Sequence, residues 1–405
     1  MYKQFLILLT LITIFLSCKT NKESIDIGEF DKENYWKQDY YLTLQQLRNE
    51  KIDSIIPYLE YYGTLESVYG DVRKAQWLFD TVEIIRDYTQ YKLDEKIVDY
   101  KPQNAFNIIS QLAKGKQLVM INEAHHRPEH RIFTTQLLKK LHKQGFSYIA
   151  LEGLSMRDSL LQKRGYPNNK SGIYIQNTSY ANLIRVAMDL GIKVISYDTY
   201  ASNNNIRDSL QAINIYNQTY ALDTSAKVII HAGYGHIGKK KSRYSRPMGF
   251  VLAKRLNTIP LVIDQTLVIE RQISSVKNEN YQFIFKENGE IDEVSVLKYD
   301  NDIWCIHSNY DISVIHPPTR FSYFRPTYLI FDDVKPIKLP KSINKKKYLN
   351  HLIKVFKEKE PSSAVPIDQF ELSNLGMKII VPIGKYRVEV YNYKNEIIKA
   401  VNIIF

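Results

Sequence analysis

Cysteine is almost missing from this chain: Cys18 and Cys305 are the two among 405 residues. That excludes a C-x-x-C zinc site and a disulfide framework, and it leaves a thiol catalyst with a nearby His partner without support. The protein must be held by its core, and the length suffices for more than one domain. Internal repeats and low-complexity tracts are lacking too. The net charge of +12 sits in two patches rather than over a nucleic-acid-binding body. Ile237 to Arg255 holds seven basic residues and no acid, and Lys335 to Glu360 holds nine Lys against two Glu. No aromatic-basic RNA motif accompanies either patch, so no nucleic-acid partner is expected. The second reads as a solvated linker or a segment drawn to anionic lipid or polysaccharide. The first follows His236 directly and would bias a site there toward anionic substrates.

What is present centres on residues 117–152. Gln117 to Ile121 is an apolar run too short for a helix, and it reads as a buried parallel strand. Asn122-Glu123-Ala124-His125-His126-Arg127-Pro128-Glu129-His130 then packs ionisable groups where a strand should simply turn. Pro128 starts a helix, Ile132, Phe133, Leu137, Leu138 and Leu141 form its apolar face, and Gly145 stops it. A second strand, Tyr148 to Leu151, ends on Glu152. The right-handed crossover of such a βαβ unit makes the strands parallel, so Glu123, His125 and Glu152 converge at the carboxyl edge where open α/β sheets bind ligands.

The alternation continues with helix 180–190, strand 193–198, helix 206–216, strand 228–231, helix 248–256 and strand 261–263. Polar groups close each strand: Asp198, the His231 to His236 block, and Asp264 with Gln265. The fold class is therefore α/β, a mainly parallel sheet flanked by helices over residues 101–334. Residues 35–100 read as an aromatic-rich helical cap packed on that domain. Residues 266–334 mix alternating strands such as Gln282 to Lys286 with turns. Residues 335–360 read as a basic linker and 361–405 as a small β module, where Pro382 to Val390 alternates strictly.

Lys3 and the short apolar stretch from Phe5 to Leu16 make residues 1–17 a signal peptide. Phe15-Leu16-Ser17-Cys18 resembles a bacterial lipobox, which implies a lipidated Cys18 and a cell-envelope location, with residues 18–34 as a polar tether.

Glu123, His125, Glu152 and His236 supply two carboxylates and two imidazoles. These are ligand types for a divalent metal such as Zn or Mn, and equally the parts of a metal-free acid/base hydrolase in which a carboxylate orients a His that deprotonates water. Spacing does not choose between them. Ser155 in Gly153-Leu154-Ser155-Met156-Arg157 lacks the second Gly of a nucleophile elbow. His126 and His130 read as solvent-facing or supporting, because Pro128 disturbs the register a ligand pair would use.

Ile121 to His125, followed by a helix and a strand ending in Glu152, resembles the Gly-Glu-x-His signature of the erythromycin esterase-like, ChaN-like and TIKI/TraB-like superfamily. Val228 to His236 resembles its later Gly-x-x-His strand, and the likeness spans roughly residues 100 to 270. Arg207-Asp208 resembles the Arg-acid pair between the two blocks, its plainer reading being a helix cap and surface pair. Asn122 departs from the motif's Gly, with consequences for the turn. The resemblance implies a hydrolase of an ester, lactone or amide, with Arg207, Asp208, His231 and Tyr234 contacting a small-molecule or peptide substrate. Through its ChaN-like members it equally implies a haem- or iron-binding lipoprotein, for which 30 Tyr offer potential iron ligands.

Overall fold

Leu118–Glu123 lies at the centre of a nine-stranded sheet, and the rest of the fold is arranged about it. The computed structural model describes residues 40–49, 56–86 and 92–405, so the signal peptide, Cys18 and the tether lie outside the described residues. Among the described residues, no helix is long and apolar enough to cross a membrane.

The first layer is helical: α1 (Tyr40–Asn49), α2 (Ile56–Val68) and α3 (Val72–Arg86). Strand β1 (Lys101–Asn104) and helix α4 (Ala105–Leu112) lead into β2 (Leu118–Glu123). Next come α5 (Pro128–His142), β3 (Tyr148–Leu151), the short α6 (Leu161–Arg164), α7 (Thr178–Asp189), β4 (Lys193–Ser196), α8 (Asn204–Gln218) and β5 (Val228–Gly233). After a 3-10 turn at Tyr234–Ile237, α9 (Met248–Leu256) and β6 (Leu261–Asp264) close the regular alternation. Helix α10 (Glu279–Asn288) precedes β7 (Ser295–Tyr299), β8 (Asp302–Ile303) and β9 (Ile312–Ile315).

The order across the sheet is β1-β7-β9-β6-β2-β5-β3-β4, with β8 beside β7. From β9 to β4 all pairings are parallel, while β7 runs antiparallel to its neighbours at the far edge. The fold is thus α/β, as the strand and helix alternation required. Period-2 alternation divides the strands between two cores. Val119, Ile121, Ile149, Leu151 and Ile229 pack with α4, α5 and α7 on one face. Leu118, Met120, Ala150, Val228 and Ile230 pack with α8 and α9 on the other.

Two differences from the sequence expectations have physical causes. Gln282 to Lys286 is helical, because Asn278 caps the segment and Tyr281 and Ile284, three apart, both bury. After a short hairpin of β10 (Phe321–Ser322) and β11 (Arg325–Pro326), the basic stretch expected to be a linker is partly strand: β12 (Lys335–Lys338) and β13 (Leu352–Lys357), whose apolar residues are interspersed with lysines. Strand β12 pairs β15 (Lys378–Val381), and β13 lies between β14 (Asp368–Glu371) and β16 (Lys385–Tyr391), with β17 (Ile397–Ile404) on the outer edge. The helical cap shares its apolar core with this β module, through Leu352 and Tyr391. Buried ion pairs fix the module in place: Arg185–Glu360 at 2.6 Å and Arg325–Asp368 at 2.7 Å.

Candidate active site

Strand register explains why distant motif residues meet. Glu123 of β2 pairs with Gly233 of β5, and Leu151 of β3 pairs with His231 of the same strand. Glu152, one residue past β3, donates its backbone N–H to the His231 carbonyl at 3.0 Å. Three adjacent strands therefore deliver Glu123, His231, Gly233 and Glu152 to one edge.

Glu123 is 1% exposed and surrounded by donors. Arg131, from the first turn of α5, bonds both its oxygens, Nε to Oε2 at 2.6 Å and Nη2 to Oε1 at 2.7 Å. The His231 Nε2 lies 2.8 Å from Oε2, and the His125 Nδ1 lies 2.9 Å from Oε1. Burial pushes the Glu123 carboxyl up, but the Arg131 guanidinium and then His231 outweigh it, holding it well below the usual carboxylate range. An ionised carboxylate only accepts, so the Nδ1 of His125 carries its ring proton toward Glu123, and in the neutral ring the Nε2 keeps a lone pair. Tyr174 stacks on that ring at 4.1 Å between centroids and Tyr234 meets it edge-on at 5.5 Å, which fixes its plane.

Gly233 bounds the space in front of the His125 Nε2. A Cβ placed on Gly233 would lie 2.7 Å from that nitrogen and 3.1 Å from the Glu152 Oε2. The two polar atoms thus border one small volume that glycine leaves open. Glu152 is itself held, its Oε2 accepting the Gly233 N–H and its Oε1 accepting from Arg207 Nη2 at 2.8 Å.

The first turn of α8 supplies the second group. Arg207 reaches Asp198 at 2.8 Å as well as Glu152, and its Nη1 lies 3.3 Å from the His236 Nε2. The other ring nitrogen of His236 sits 2.6 Å from Asp208, and its Nε2 lies 3.6 Å from Glu152. Burial pulls the His236 pKa down, but the Asp208 hydrogen bond and the Glu152 and Asp208 charges raise it overall from 6.5, against Arg207.

Glu123, His125, Glu152, Arg207, Asp208, His231, Tyr234 and His236 all lie within this arrangement, but His231, expected to contact substrate, is fully buried with its ring nitrogens on Glu123 and Thr134. Arg131 and Tyr174 were not foreseen as members, whereas Asp198 was expected as a strand-closing polar group and Gly233 only as a position of the Gly-x-x-His block. Asn122 does not alter the turn in the manner a glycine replacement suggested: it stays in the strand and bonds outward with its side chain. Its amide donates to Asp264 at 2.7 Å and to the Tyr234 carbonyl at 3.1 Å, and accepts from the Gln265 N–H at 2.6 Å. Asp264 and Gln265 are thereby spent on structure rather than on the rim. His126 and His130 are buried, not solvent-facing: His126 stacks on Phe79 of the cap at 3.7 Å, and His130 accepts the Ala124 N–H at 3.0 Å. Burial holds both well below the usual histidine pKa, so they support the site as neutral rings.

The donor set does not fit a resident divalent metal. Among the described residues no group of three or more His, Cys, Asp or Glu side chains is arranged to hold one. Both candidate carboxylates are paired with guanidinium groups, whose positive charge opposes a cation at the same place.

Neither a protein-family model nor a curated protein sequence matches the chain. Loose structural likenesses exist to bacterial protein toxins (17% identity over 52% of this chain and 45% of that chain, TM-score 0.32). Others are to the RRSP effector domain of a MARTX toxin from Vibrio vulnificus CMCP6 (14%, 51% and 49%, TM-score 0.30) and to the type III effector HopBA1 (13%, 43% and 89%, TM-score 0.29). The chain spans about half the length of the first two. Overlaps this loose carry no chemistry from those proteins to this one.

Proposed function

We propose that the chain is a membrane-anchored hydrolase of an ester, lactone or amide bond, working without a metal. The reading is carried by one relationship: an ionised Glu123 holds the proton of His125 on Nδ1, which aims a lone pair from Nε2 into the volume it shares with Glu152 over Gly233. Water in that volume gives a proton to the His125 Nε2 as its oxygen attacks the carbonyl carbon. The resulting oxyanion faces the partly exposed guanidinium of Arg207, a fixed charge beside the reacting atoms. His236, kept protonated toward neutral pH by Asp208, gives a proton to the departing oxygen or nitrogen as the bond breaks.

The test is a panel of aryl esters, lactones and peptides assayed with the full chain and with His125→Ala, in the presence and absence of chelator. Hydrolysis that survives chelator and drops by about a hundredfold or more in His125→Ala is expected, the usual size of one general base. Chelator-sensitive turnover, or equal turnover in the variant, would sink the metal-free reading. The anchor rests on Cys18, and Cys18→Ser should move the protein from membrane to soluble fractions.

A further inference from the structure

We propose that the loop from Gly238 to Pro247 is a preformed anion-binding rim, which selects substrates carrying a negatively charged group set apart from the bond that is cleaved. This deepens the hydrolase reading and rests on it.

The loop leaves the 3-10 turn that carries His236 and enters α9, and its ends touch: a Cβ on Gly238 would meet the Pro247 Cγ at 3.2 Å. Such a closed surface loop holds its own shape when its polar groups pair internally. Here the Ser242 N–H donates to the Ser245 carbonyl at 2.8 Å, and the Ser242 hydroxyl accepts from the N–H groups of Tyr244 and Ser245 at 3.2 and 3.0 Å. Asn205 then clamps the loop to α8, its side chain accepting the Arg246 N–H at 2.7 Å and donating to the Tyr244 carbonyl at 3.1 Å. Asn205 shares the first turn of α8 with Arg207 and Asp208. The loop is therefore registered to the catalytic turn from both sides, by chain continuity from His236 and by this clamp.

Its charge is uncompensated. Lys239 pairs with Asp311 at 2.5 Å, whereas Lys240, Lys241, Arg243 and Arg246 are exposed and have no carboxylate within ion-pair distance among the described residues. The centre of the site has the opposite character. Its two guanidinium groups, Arg131 and Arg207, are taken up by Glu123, Glu152 and Asp198, and Asp208 adds a further carboxylate. A substrate carboxylate thus finds its unpaired cations at the rim, while the paired Arg207 is left to the oxyanion that forms at the acyl end, which orients a two-ended substrate with its neutral acyl end at His125.

The test compares p-nitrophenyl butyrate with mono-p-nitrophenyl glutarate, two esters sharing a leaving group and differing in a distal carboxylate. The proteins are the wild type and the triple variant Lys240→Glu, Lys241→Glu, Arg243→Glu. At low ionic strength the variant should lose about tenfold or more in kcat/KM for the glutarate, the size of effect a charge-lined approach confers. The loss should shrink near 1 M salt, where the screening length falls to about 3 Å, and the butyrate should change less than about twofold. Equal losses on both esters would make the loop structural and overturn the proposal, as would a salt-independent loss. A binding arm separates this from the hydrolase reading: equilibrium dialysis of pyranine, a soluble trisulfonate, needs no turnover. Weaker pyranine binding in the variant without any ester hydrolysis by the wild type would keep the rim and discard the chemistry. Unchanged pyranine binding, or a charge effect seen only on anionic lipid vesicles, would discard the rim.

Discussion

Gly233 lies directly against His125: a Cβ added there would sit 2.6 Å from the imidazole Cε1 and 2.7 Å from its Nε2. The backbone at Gly233 has φ of −72°, which any residue adopts, so what forbids a side chain is the ring and not the chain path. Glu123 and Tyr174 hold that ring on its other sides, leaving it little room to yield. Gly233→Ala should therefore misplace His125 and reduce hydrolysis by about a hundredfold, the penalty for roughly 1 Å of displacement at a reacting group. Thermal melting should fall by only a few degrees, as for a loss near 1 kcal/mol. Full activity in a folded Gly233→Ala protein would show that the volume over Gly233 is not where chemistry happens.

Arg131 and Glu123 make a pair whose two members are each 1% exposed. Removing one leaves a buried charge without its partner, at a cost of about 3–5 kcal/mol, whereas removing both in favour of apolar residues of similar size is often close to neutral. Arg131→Ala should accordingly destabilise more than the double variant Glu123→Leu, Arg131→Met, although the double variant should lack activity because His125 has lost its orienting carboxylate. Urea denaturation checks the order. A double variant at least as unstable as Arg131→Ala would show that the pair is needed for folding and not for setting the imidazole.

How much of this was readable from the chain depended on whether the information was local. The strand, helix and strand around Glu123 were legible because short apolar runs, Pro128 and the stop at Gly145, with φ of 87°, all act over a few residues. The convergence of Glu123, His125, Glu152 and His236 followed from strand direction alone. Arg131 was not legible: it sits among the apolar positions of α5, and its partner lies eight residues earlier on another element. Gly233 was legible only as a motif position, because its reason for being glycine is a ring delivered from a neighbouring strand. The segment Gln282 to Lys286 shows the opposite failure, where a short alternation satisfied strand spacing while Asn278 and the i, i+3 pair Tyr281 and Ile284 decided for a helix.

His236 gives the site a pH signature whose sign can be worked out. Its pKa in the folded protein lies above 6.5, burial being outweighed by the Asp208 hydrogen bond and by the Glu152 and Asp208 charges. A group raised on folding stabilises the protein below its unfolded pKa and loses that contribution as pH climbs through the folded value. Melting temperature should thus fall from about pH 6.5 upward, and Asp208→Asn should flatten that part of the curve. If His236 is the acid, the alkaline limb of kcat/KM should also move to lower pH in Asp208→Asn. An unchanged limb together with an unchanged stability slope would remove His236 from the proton path.

His125 and His236 stand 111 positions apart in sequence, yet Glu152 ties them together: its Oε2 borders the volume in front of the His125 Nε2, and its Oε1 lies 3.6 Å from the His236 Nε2. If one accepts a proton and the other returns it in a single reaction, removing either breaks the same cycle. Groups that act as a unit are non-additive: each loss alone approaches the loss of both. His125→Ala and His236→Ala should each reduce kcat/KM by about a hundredfold or more, and the double variant should fall little further. Both single variants should fold, since neither ring belongs to an apolar core, and circular dichroism would verify it. Losses that multiply would mean that the two histidines serve separate steps or separate ligands, and the shared proton path over Glu152 would have to be abandoned.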